Sequence, residues 1–131
     1  MANVTASELT RNEWAVVTAN DGAASQTVVY DRGDEDIHVI INNGDAADAA
    51  IIVRANGFGA GGDANDYLTV VTAGAEVAFV GESNKYKDPD TQAVTIEILE
   101  SSSTITSSVT FSGTVSLVKV KVIESPKGVT N

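Results

Sequence analysis

Reactive side chains gather at only a few places in this chain. One is His38, the single histidine, within Asp36-Ile-His-Val-Ile40. An imidazole acts as a general base when an acid orients it toward a nucleophile or substrate, and no partner motif accompanies His38. It reads as a structural residue on a strand. A second place is the pair of acidic turns, Asp31, Asp34, Glu35 and Asp36 in one and Asp63, Asn65 and Asp66 in the other. Calcium takes six to eight oxygen ligands, but neither turn has the glycine and glutamate spacing of a twelve-residue calcium loop. Both read as solvated turns that add negative field. The third is Gly57-Phe-Gly-Ala-Gly-Gly62, superficially a phosphate loop. A phosphate loop must open a helix, so that amide groups and the helix dipole meet the anion. Here Asp63-Ala-Asn-Asp66 and another β-rich run follow, and the acids repel phosphate. A surface loop is expected instead.

The composition narrows the chemistry further. The absence of cysteine removes disulfides, thiolate metal sites and thiol catalysis, and one histidine cannot build a multi-histidine zinc centre. A glycosidase needs two carboxylates across a sugar; nothing in the spacing of the 18 acids selects a pair, and one Trp and three Tyr give few stacking platforms. The formal net charge of -10 opposes nucleic-acid binding, which depends on an excess of Lys and Arg. No stretch approaches the roughly 18 apolar residues of a membrane span, and Met1 to Thr10 lacks the basic patch and apolar run of a secretory signal. The expectation is a soluble, non-catalytic protein with no cofactor and no bound metal.

The elements that would hold any site read as strands. Runs rich in Val, Thr and Ile, separated by Gly, Asn, Asp and Ser clusters, predict strands near 14–19, 26–30, 37–42, 50–55, 68–71, 76–80, 94–99, 107–111 and 114–123. Helical periodicity is nearly absent, so 131 residues of this pattern predict one all-β domain, a β-sandwich. Val118, Val120 and Val122 alternate with Lys119 and Lys121, placing the valines inward and the lysines in water or along an exposed edge. Ile96 and Ile98 alternate with Thr95 and Glu97 in the same way. Around Ile37, Val39 and Ile41, and around Val77 and Phe79, both faces are apolar enough to predict cover on both sides. Residues 1–12 carry no convincing strand and read as an N-terminal arm, 13–123 as the sandwich, and 124–131 as a C-terminal tail in which Pro126 stops any continuing ladder.

Ile37-His-Val-Ile-Ile-Asn-Asn-Gly44, Ala50-Ile-Ile-Val-Arg-Ala-Asn-Gly57, the glycine-rich loop, and Tyr67-Leu-Thr-Val-Val-Thr-Ala-Gly-Ala-Glu76 leading into Val77-Ala-Phe-Val-Gly-Glu82 and then Tyr86 form an ordered series. Together with the final Val-Lys-Val-Lys-Val-Ile strand, this series resembles the head decoration, or cement, proteins of tailed-phage capsids over residues 36–123. The 101–112 stretch departs from that pattern as an insertion. The resemblance implies a jelly-roll-like sandwich with extended terminal arms, made in the host cytoplasm and carried on the virion capsid exterior. It implies a homotrimer that bridges major capsid protein subunits and stabilises the shell. Residues expected at such contacts are Trp14, Arg54, Phe58, Asp63, Asp66, Tyr86 and Lys87. Two other readings stand beside it: a phage tail or fibre subunit, and a carbohydrate-binding module holding calcium with Asp63, Asn65 and Asp66.

Overall fold

The computed structural model describes residues 2–31, 33–55, 66–98 and 113–126. Strands dominate, in chain order β1 (Ala2–Asn3), β2 (Ala6–Glu8), β3 (Asn20–Asp21), β4 (Ser25–Val29), β5 (Ile37–Asn43), β6 (Ala49–Val53), β7 (Tyr67–Val71), β8 (Glu76–Phe79), β9 (Lys87–Asp88), β10 (Ala93–Ile98) and β11 (Val118–Glu124). A single α-helical turn, Ser83–Tyr86, and 3-10 turns at Asp34–Asp36 and Val115–Leu117 link them. One sheet runs β1-β4-β10-β6-β7, with β9 also on β10; the other runs β2-β11-β5-β8, with β3 also on β11. The fold is a β-sandwich. Chain order β4, β5, β6 alternates between the sheets, whereas β6 and β7 pair within one sheet.

Alternation builds the core between the sheets. In β5 the residues at 37, 39, 41 and 43 are buried and those between are half-buried; β11 repeats the pattern from Val118 to Glu124. Burying one face of each strand is the main favourable term holding the layers together. Val118, Val120 and Val122 meet Ile37, Val39, Ile41, Val94 and Ile96 in one continuous apolar cluster. On the outer face of β6, Ile52 and Ala50 are buried and pack against Leu68 of the adjacent strand β7.

Several strand assignments differ from the sequence reading. Residues 14–19 form no strand and stand in solvent, although their composition is β-rich, because no strand among the described residues supplies a ladder. Residues 2–8, read as a strandless arm, pair in parallel with β4 through Ala2–Asn3 and with β11 through Ala6–Glu8. Strands this short leave no periodicity to detect. β11 lies inside its sheet and not at an edge; Lys119 meets Asp21, and Lys121 lies 3.5 Å from Glu76. β8 is exposed along Glu76, Val77 and Ala78, not covered on both faces, because it ends its sheet. The run over 114–123 opens as a 3-10 turn before β11 begins. The 107–111 strand falls outside the described residues.

One polar residue ties the layers. Asn43 is fully buried at an inward position of β5, where alternation calls for an apolar side chain. Its Nδ2 donates to the Ala47 carbonyl at 2.8 Å and the Val71 carbonyl at 3.0 Å, and its Oδ1 accepts the Asp45 amide at 3.0 Å. Its main chain adds bonds to Ala75 and Gly74. The link therefore joins the end of β5 to the turn into β6 and to the turn after β7. Gly74 has φ of +77°, a left-handed conformation that a Cβ would strain.

Candidate interaction surface

Two features project from opposite edges of this sandwich. The first is the loop joining β2 to β3. Both strands sit on the same side of β11, so the chain leaves that edge and comes back to it. The Leu9 amide donates to the Glu124 carbonyl at 2.8 Å, and the Thr18 amide donates to Ser7 Oγ at 2.8 Å. Asn20 closes the base: its side chain donates to the carbonyls of Thr5 and Val120, both at 2.9 Å, and accepts the Thr5 amide at 3.0 Å. Asn12 takes a positive φ of 64°, a conformation its short polar side chain tolerates, and turns the chain outward. Beyond that turn Trp14 is 103% exposed and Val16 88% exposed, with Val17 also in solvent. Exposed apolar side chains in a cluster mark contact surfaces on soluble proteins.

The second feature is an apolar groove of about 270 Å³ between the edge strands β7 and β8, one from each sheet. Tyr67, Thr69 and Val71 line it from β7, Val77 and Phe79 from β8, over a floor that includes Ile41 and Val53. These wall positions alternate, which is why they share the inner side. The Asn43 junction and the turn through Gly74 close one end. At the other end the rings of Tyr67 and Phe79 stack with centroids 5.7 Å apart. Tyr67 remains 47% exposed and Val77 36% exposed, so the groove opens to water along its side. Compared with protein-family models, curated proteins and solved structures, the chain matches none.

The residues expected at contacts are scattered. Trp14 lies on the exposed loop. Arg54 is a clamp: its two guanidinium nitrogens meet Asp66 at 2.9 Å and Glu97 at 2.7 Å, and the Glu97 hydrogen bond is the main reason its pKa is raised. Asp66 also accepts the Ala55 amide at 2.6 Å, so its carboxylate fastens the two ends of the 54–66 connection. A carboxylate committed in this way is a poor calcium ligand. Tyr86 is a core residue, 8% exposed, set edge-on against Phe79 at 5.5 Å. Lys87 is half-buried in β9, opposite Val94 of β10. Phe58, Asp63 and Asn65 lie outside the described residues, as does the glycine-rich loop. His38 Nε2 lies 3.0 Å from the Glu35 carbonyl, which can only accept, so that nitrogen carries the proton. Among the described residues, no group of three or more His, Asp or Glu is placed to hold a metal ion.

Sequence reasoning missed the groove. Its wall residues look like any core strand, and only the absence of a further neighbour beside β7 and β8 among the described residues opens it. The exposed end of β8, where Val77, Ala78 and Val80 carry no charge to guard the edge, is the signal that points to it afterwards.

Proposed function

We propose that this protein is a structural virion component: a head decoration protein that binds the outside of a phage capsid and stabilises the shell by bridging major capsid subunits as a trimer. The observation that carries the reading is the anchored loop over 9–18, which holds Trp14 and Val16 in water, as an aromatic anchor at a protein contact would stand before docking. A loop fixed at both ends loses less entropy on docking than a free arm, so its aromatic anchor is cheap to order. Several modest contacts per subunit, repeated around a trimer, act together through effective concentration. A net charge of -10 suits a surface facing away from packaged DNA and toward basic patches on the shell. The β-sandwich fold and the order of motifs over residues 36–123 support the same reading by resemblance.

Co-sedimentation of the purified chain with expanded capsids tests it. Saturable binding to the head is expected, weakened at least about tenfold in Trp14→Ser. A folded chain, checked by circular dichroism, that stays in the supernatant refutes the reading. Labelled protein found on tails alone replaces it with a tail subunit.

A further inference from the structure

We infer that the groove between β7 and β8 receives residues 13–17 from the loop of a second copy of this chain. The inference rests on reading that loop as a binding element and assigns its partner. Trp14 and Val16, two positions apart, share one face when the segment is extended, the same spacing by which Thr69 and Val71, or Val77 and Phe79, share the groove wall. Residues 13–17 match the five residues of β7 in length. β7 and β8 each lack a second strand neighbour among the described residues, so their outer backbone groups can pair with an added strand while its apolar side chains fill the groove.

The loop cannot serve its own groove. It springs from β2, and β8 stands at the far edge of the same sheet, in the order β2-β11-β5-β8. Three interstrand spacings, about 14 Å, separate them, and the bonds of Leu9, Thr18 and Asn20 fix the base of the loop. Donor and acceptor on opposite edges make a head-to-tail contact, which joins copies in a ring or an open chain according to the rotation per subunit. The contact is apolar while each copy carries a net charge of -10, so added salt screens the repulsion and strengthens assembly.

Trp14 is the single tryptophan, so its fluorescence reports the donor directly. Sedimentation velocity of the full chain alone, up to about 100 µM and at low and high salt, is expected to show oligomers, closed or open, whose formation shifts Trp14 emission to the blue. Trp14→Ser destroys the donor and Val77→Asp the acceptor; each weakens assembly at least about thirtyfold while circular dichroism stays unchanged. Thr69→Lys is a second acceptor variant in case Val77→Asp misfolds. A mixture of the donor and acceptor variants has one intact contact, so it forms a one-to-one heterodimer and nothing larger. The tryptophan of the acceptor variant then shifts to the blue when the donor variant is added. A monomeric wild type, assembly that survives either lesion, a mixture without the shift, or blue emission in the monomer overturns the inference. Binding to capsids is read separately: capsid binding lost in Trp14→Ser with a monomeric chain sinks the self-assembly alone, and an oligomer that ignores capsids sinks the virion reading alone.

Discussion

Replacing Asn43 probes the junction that closes the groove. Asn43→Ala removes the side-chain bonds to the carbonyls of Ala47 and Val71 and from the Asp45 amide. At about 1 kcal/mol net for each, plus about 1–3 kcal/mol for desolvation of the buried Val71 carbonyl, the loss comes to about 4–6 kcal/mol. That is a large part of the roughly 5–15 kcal/mol holding a domain folded. Asn43→Asp is the sharper variant. It keeps an acceptor for the Asp45 amide, but sets a buried carboxylate against two carbonyls that had lain 2.8 and 3.0 Å from a donor. Burial and the two facing carbonyl oxygens raise that carboxyl's pKa, so the native state binds more protons than the unfolded chain and stability falls as pH rises. At pH 7 Asn43→Asp should be less stable than Asn43→Ala, and toward pH 4 it should recover, since a protonated carboxyl can donate to one carbonyl. Urea unfolding followed by far-ultraviolet circular dichroism measures all three chains; Trp14 fluorescence would miss the transition in a monomer, because that ring is already in water. An unchanged midpoint for Asn43→Ala, or an aspartate at least as stable as the alanine at pH 7, would refute the claim that these bonds join the layers.

Two further outcomes follow from the same geometry. Asp45 accepts the Ala47 amide at 2.9 Å and the Thr114 amide at 3.1 Å, and these bonds, that from Thr114 foremost, hold its pKa below the ordinary carboxylate value. Its stabilisation is therefore present above the unfolded carboxylate range, near pH 4, and is lost as pH falls through the depressed folded value. Thermal melts of wild type and Asp45→Asn should differ at pH 7 and converge in acid; a gap that widens on acidification contradicts the assignment. Ile96 is buried in the core and lines the floor of the groove, so Ile96→Ala should cost about 2–5 kcal/mol in chemical denaturation, and a loss under about 1 kcal/mol would show that the site collapses to fill the space.

Much of the fold was legible because alternation is local. Val118, Val120 and Val122 declare an inward face with no knowledge of their neighbours, and so do Ile37, Val39 and Ile41. The same rule failed at residues 14–19 and at β8, since a β-rich run becomes a covered strand only where another strand lies beside it. Asn43 shows the division within one side chain. Its inward position follows from the period of β5, but the carbonyl of Val71, 28 residues away, is brought to it only by folding.

Composition and pattern thus determined the all-β class, the inward faces and the acidity of this chain, all of which depend on residue type and spacing alone. Tertiary structure decided that Arg54 and Asp66 are clamps, that Tyr86 is core, and that Trp14 stands in water on the edge opposite an open groove. Those facts depend on which strands become neighbours. Strand order comes from contacts between distant segments, and no spacing along the chain encodes which edge is left uncovered.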